Sequence, residues 1–209
     1  RLYVMAPEFK LVTIVGSEGL LNADEDWNFT TMYELLEKYS GAQLFAREKN
    51  SFELERFLKY SMDLFYDKDT GECSFESDDF INMLKLVQTL PDTYTSVPDD
   101  EINDKLKKKE VLLENFDSMD IINVKMLDMH FDNIEKVYLG YPSKSHASAQ
   151  LVFDNNMAMS AVSENQAAAW EFMKYYLTNF EPSGMPVFED KFEAQLYAAM
   201  HEYEDGVKG

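Results

Sequence analysis

From Glu110 to Leu177 the chain alternates short apolar runs with polar and aromatic loops, then turns helical, and few architectures accommodate that order. Val111-Leu112-Leu113 runs into Asn115-Phe116-Asp117-Ser118. Val137-Tyr138-Leu139 runs into Gly140-Tyr141-Pro142-Ser143. Asn156-Met157-Ala158-Met159-Ser160 leads to Ser163-Glu164-Asn165-Gln166 and then to Ala167-Ala168-Ala169-Trp170-Glu171-Phe172. Apolar strands that end in such loops, with a capped helix behind them, form the rim of an α/β sheet.

The remainder of the chain has the same character. Leu11 to Val15 is a β-branched run closed by Gly16, the pattern of a buried strand. Asp24-Glu25-Asp26 is a solvated turn before Trp27. Thr31 and Glu34 read as a capping box for a helix that runs to about Ser40 and stops at Gly41. A helix over 52–66 is expected to bury Phe52, Leu54, Phe57, Leu58, Met62 and Phe65. Another, over 78–90, sets Phe80, Leu84 and Val87 on one face and ends at Pro91. Lys105 to Lys109 is a solvated helix end ahead of the Val111 strand. Residues 121–131 read as helical. Ser163 and Gln166 make a second capping box for a helix ending near Asn179, with Trp170 assigned to packing. A last helix over 188–204 turns Phe192, Leu196 and Ala199 or Met200 inward. Helices alternating with short strands imply an α/β layer fold, a single domain over residues 1–209.

Composition narrows the partners. Nineteen basic against 39 acidic residues leave a net charge of −20, which repels nucleic-acid phosphate and anionic lipid. Neutral ligands or basic partner patches suit it better. Cys73 is alone, so neither an internal disulfide nor a cysteine metal cluster is expected. No apolar run approaches the ~20 residues of a membrane-spanning helix. The chain opens at Arg1 rather than at methionine, so the expectation is that something ahead of it was removed or that the chain was cut there, and a missing targeting segment says nothing about destination.

Catalytic and metal signatures are weak. Asp67 to Asp78 places carboxylates at the first, third and twelfth positions of a calcium-loop pattern, but its glycine falls fifth rather than sixth, so a plain acidic turn is the expectation. His130, His146 and His201 lie far apart in sequence, and Asp128 is the local partner expected for His130. Ser143, Ser145, His146 and Ser148 crowd one loop without a base and an orienting acid that the sequence can place. No metal and no cofactor is expected.

Aromatic residues beside amides and carboxylates are more informative. Sugar rings present apolar CH faces to aromatic side chains, while their hydroxyls need polar acceptors nearby. Asn115, Phe116 and Asp117 supply both types directly after a strand, and Tyr141 supplies another ring. Trp27 is read two ways, as a staple for the helix it precedes or as the edge of a cleft.

These residues resemble the extracellular solute-binding proteins of ABC importers, the sugar-binding family. Arg1-Leu2-Tyr3-Val4-Met5-Ala6-Pro7 is similar to the strand that introduces the family's second lobe. Trp27 with Thr31 and Glu34 resembles its tryptophan-threonine-glutamate helix start. Glu110 to Leu113 resembles the strand leading to a cleft loop, and Gly140-Tyr141-Pro142 its glycine-aromatic-proline turn. Ala158-Met159-Ser160 and Ala168-Ala169-Trp170-Glu171-Phe172 resemble the strand and helix near the end of that lobe. The resemblance implies a periplasmic-binding-protein-like lobe with a short, mostly parallel sheet flanked by helices, and connecting segments near residues 1–20 and 180–209. It implies a non-catalytic component that binds a small molecule, a saccharide, between lobes that close by hinge bending, and passes it to an ABC permease. Asn115, Phe116, Asp117 and Tyr141, with Trp27, are the ligand-binding residues it implies. It further implies an extracellular, cell-surface protein in a bacterium, held by a lipid anchor outside this chain. A protein-interaction domain and, behind it, a glycoside hydrolase are the alternatives.

Overall fold

The computed structural model describes residues 4–21, 26–94, 97–118, 120–146 and 148–206. Asp24 and Glu25 of the expected turn, and Arg1 to Tyr3 of the opening stretch, lie outside the described residues. The chain divides into two compact units, each discontinuous in sequence: residues 13–116 with 127–150, and residues 1–12 with 117–126 and 151–209.

The larger unit is built on β2 (Glu8–Ser17), β3 (Gln43–Phe45), β4 (Val111–Ser118) and β5 (Lys136–Tyr138), in the order β3-β4-β2-β5. Three helices, α2 (Asn50–Ser61), α3 (Asp78–Thr89) and α4 (Asp99–Lys107), connect β3 to β4, which pair parallel with Gln43 opposite Val111. A parallel pair needs such a crossover, because a tight turn cannot bring the chain back to the same end. β5 joins β2 antiparallel, Val15 opposite Tyr138. From Thr13 to Ser17 every residue of β2 is buried, as the β-branched run foretells. Gly16 is closely packed there: a Cβ would lie 3.0 Å from a Leu20 methyl and 3.1 Å from a Leu113 methyl, so these side chains would have to give way.

Helix α1 (Phe29–Lys38) starts three residues earlier than expected. Asn28 is the cap, its Oδ1 accepting from Thr31 N at 2.9 Å, while Thr31 Oγ1 accepts from Asn28 N at 3.0 Å. Thr31 therefore closes the box from inside the helix instead of opening it. The cap matters because it turns Phe29, Met32 and Leu35 into the core, where Phe29 packs edge-on to Phe57 with centroids 4.9 Å apart. Helix α2 presents Glu53, Phe57, Tyr60 and Ser61, and Phe52 is 49% exposed. Of the residues expected to be buried, Phe57 and Phe65 are, and Leu54, Leu58 and Met62 are half-buried; Glu53, Tyr60 and Ser61 are buried without being among those expected. In α3, capped by Ser77 Oγ, the buried residues are Met83, Leu86 and Val87, and Leu84 lies outside.

In the smaller unit, β6 (Gln150–Asp154) and β8 (Met185–Pro186) pair with β2, the latter antiparallel with Glu8 opposite Pro186. β1 (Val4–Met5) pairs antiparallel with β7 (Met157–Ala158). A mostly parallel sheet is therefore corrected: of the four strand pairs with a described register, only β3 with β4 is parallel. The other three join segments more than a hundred residues apart, so no local connection fixes their direction. The buried Glu8 carboxyl group accepts from Gly184 N at 2.7 Å and from Asn155 Nδ2, so its oxygens are spent on the fold. Helix α5 (Ile121–His130) follows an Asp120–Asn123 reciprocal cap. Helix α6 (Gln166–Asn179) starts after Asn165, which makes no side-chain cap bond, so Ser163 is not its cap. Trp170 is 43% exposed on α6 and Phe172 62%, contrary to a packing role. Helix α7 (Glu189–Gly206) buries Ala199 and leaves Met200 and Leu196 outside.

Candidate functional site

Side chains on a strand alternate between its faces, so the neighbours Glu114 and Asn115 of β4 point opposite ways. Each leads a separate polar cluster in the larger unit.

On one side, Asn115 Nδ2 donates to Glu53 Oε2 at 2.7 Å, and Tyr141 OH donates to Asn115 Oδ1 at 2.8 Å. One amide thereby ties β4 to α2 and to the loop after β5. Tyr141 is 2% exposed, its ring 4.9 Å from that of Tyr60 and 6.2 Å from that of Phe57. Trp27, half-buried, donates its indole N–H to Gly140 O at 2.8 Å, and Gly140 has φ 74°, a left-handed conformation natural to glycine. Three of the five expected residues, Trp27, Asn115 and Tyr141, thus meet around the Gly140-Tyr141 loop. Phe116 is 7% exposed. Asp117 belongs to the other unit, where Lys10 Nζ lies 3.4 Å from its Oδ2 and 3.8 Å from Asp154 Oδ2.

Glu53 is fully buried, and burial lifts its carboxyl to about 8 against the opposing pull of Arg56. Arg56 Nη1 is 3.6 Å from Glu53 Oε2 but 2.5 Å from Glu48 Oε1. Burial works against the guanidinium charge, but Glu48 outweighs it and keeps Arg56 firmly cationic. Arg56 and Glu48 form the partly exposed edge of the cluster, with side chains 28% and 14% exposed, while the Arg56 Nη1 that meets Glu48 is itself buried. Glu53 Oε1 has no hydrogen-bond partner among the described residues.

On the other side, burial raises Glu114 to about 7, again against Arg47, and its Oε1 also lacks a partner among the described residues. Arg47 donates from Nε to Val97 O at 2.8 Å and pairs through Nη2 with Asp99, whose carboxyl it holds below the usual range. His130 Nε2 lies 3.2 Å from Asp99 Oδ1, and burial depresses its imidazole. Asp128 instead pairs with Lys136.

The sequence reading missed Glu53, Arg56 and Glu48 altogether. A signal existed: Glu53, Phe57 and Tyr60 fall at i, i+4 and i+7, one helical face. The hydrophobic neighbours Phe52 and Leu54 masked Glu53 between them. The 67–78 segment closes on itself, Asp67 Oδ1 accepting from Asp69 N at 2.8 Å and Thr70 N at 3.1 Å. Among the described residues no group of three metal-ligating side chains converges, and no helix is long and apolar enough to cross a membrane. Ser143 Oγ and Ser145 Oγ are 3.0 Å apart, and Lys144 N donates to Asp63 Oδ2 at 3.0 Å.

No protein-family model matches this chain, and neither does any curated protein. Among solved structures it is similar to an ABC transporter solute-binding protein from Thermotoga lettingae TMO bound with alpha-D-tagatose. The identity is 13% and the TM-score 0.36, over 93% of this chain and 58% of that one. This chain therefore spans less than two thirds of that protein's length. A likeness so slight decides neither fold nor function.

Proposed function

We propose that this chain is part of a non-catalytic solute-binding protein that holds a small neutral saccharide and passes it to an ABC permease at a bacterial cell surface. It corresponds to the second lobe of such a protein, anchored by a lipid outside these residues. The observation that carries this reading is the convergence of Trp27, Asn115 and Tyr141 on one hydrogen-bonded cluster whose partly exposed edge is Arg56 with Glu48. A guanidinium beside a carboxylate offers donors and acceptors in fixed geometry, which suits adjacent sugar hydroxyls. Tyr141 and Phe116 are buried, so in this reading they position the loop from behind, and half-buried Trp27 is the ring left for stacking. Glu53 and Glu114 serve opposite faces of the sheet, an arrangement unlike the facing carboxyl pair of a glycoside hydrolase.

The test is a thermal-shift and calorimetric screen of mono- and oligosaccharides, peptides and polyamines. A saccharide that raises the melting temperature of the native chain, with the response lost in a folded Arg56→Met variant, is the expected result. A response to peptides or polyamines alone would remove the carbohydrate assignment.

A second reading, a protein-interaction surface, is favoured by α6, where Trp170, Phe172 and Tyr175 are 43%, 62% and 67% exposed. Pull-down of a partner protein, abolished by Phe172→Ser with Tyr175→Ser and indifferent to Arg56→Met, distinguishes it.

A further inference from the structure

The smaller unit holds an open cavity, a groove of about 400 Å³, that none of the residues discussed above explains. Met5 of β1, Leu177 of α6 and Phe188 just before α7 make its apolar lining, and Lys174 and Lys191 bring two ammonium groups to it. Thr178 and Asp190 complete the wall. That volume lies within the ~300–1,000 Å³ of small-molecule sites, and an apolar lining with a few polar groups is their usual composition.

The lining is less acidic than the chain as a whole. Lys174 and Lys191 stand beside Asp190 and the Glu171 carboxylate that is ion-paired with Lys174, two cations to two carboxylates, whereas the whole sequence carries 19 basic and 39 acidic residues. Lys174 Nζ donates to Glu171 Oε1 at 2.7 Å, and Lys191 Nζ donates to Phe180 O. These bonds use one of the three N–H donors on each ammonium and hold both heads in place. Their stems add methylene surface to the cavity, as long cationic side chains do at apolar sites.

We propose that this cavity binds a small amphipathic carboxylate, with its aliphatic chain against Met5, Leu177 and Phe188 and its head between Lys174 and Lys191. Apolar burial supplies the affinity, and the paired ammonium groups select an anion over a neutral head. A saccharide, with hydroxyls on most carbons, fits this lining poorly. The proposal uses none of the residues of the polar cluster at β4, so the saccharide screen neither supports nor removes it.

Calorimetric titration of the native chain with decanoate, below its critical micelle concentration, tests it. One-to-one saturable binding is expected, with a neutral analogue that carries no sugar, decanamide, at least roughly tenfold weaker. Lys174→Met with Lys191→Met, which keeps the stems and removes the charges, is expected to weaken decanoate roughly tenfold or more. Because Lys191 also bonds the Phe180 carbonyl, Phe188→Ser provides an independent variant that leaves both lysines and removes apolar lining, and it too is expected to weaken binding. Absence of saturable binding, equal affinity for the neutral analogue, or indifference to both variants would overturn the proposal. So would adsorption to phosphatidylglycerol vesicles without decanoate binding, which would make the two lysines part of a lipid-surface contact.

Discussion

A carboxyl group in a protein interior is an expensive object unless it keeps its proton, and Glu53 shows how that cost sets a pH dependence. Its ordinary value is 4.5 and its folded value about 8, so the folded chain holds a proton that the unfolded chain has lost between those limits. Stability from this group is fully present below pH 4.5 and declines as pH rises through 8, by up to about 5 kcal/mol. Glu114, raised to about 7, acts in the same direction. Glu53→Gln mimics the protonated carboxyl and still offers an oxygen to Asn115 Nδ2. Chemical denaturation of this variant and the native chain at pH 5 and pH 8.5 should show near-equal stability at the lower pH and a more stable variant at the higher. Parallel profiles would mean that Glu53 is charged when folded. The sequence contains no hint of this, since an isolated glutamate in an acidic chain reads as solvated surface. Only the helix register, set by Phe57 against Phe29, places it inside.

Among the secondary-structure elements, α1 shows why element type is easier to read than element start. The apolar spacing of Phe29, Met32 and Leu35 declares a helix, while three polar residues near its start compete to cap it. Asn28 wins because its side chain reaches Thr31 N while Thr31 bonds back, leaving both donors satisfied. Asn28→Ala is expected to cost about 1 kcal/mol and lower the melting temperature by roughly 2–4 °C, with Thr31→Ala somewhat less damaging. If thermal melts showed Thr31→Ala costing more and Asn28→Ala nothing, the cap would be Thr31 as its spacing first suggests. At α6 the same competition is settled without a side-chain cap, and the helix leaves Phe172 and Tyr175 outside.

For the whole molecule, charge governs behaviour. A net charge of −20 opposes compaction through self-repulsion, which dissolved salt screens over a Debye length of about 10 Å at 0.1 M. Thermal stability should therefore rise between low and moderate sodium chloride concentration, and a melting temperature that falls instead would show that local pairs such as Lys10 with Asp117 and Arg56 with Glu48 dominate. The strand and helix alternation, the buried run before Gly16 and the acidity were all legible in the sequence, because each depends on residues a few positions apart or on a plain sum. Strand direction, the register of α2 and the partners of Asn115 were not. Those are decided by contacts between segments tens of residues apart, where Tyr141 and Glu53 meet one amide that neither could have specified alone.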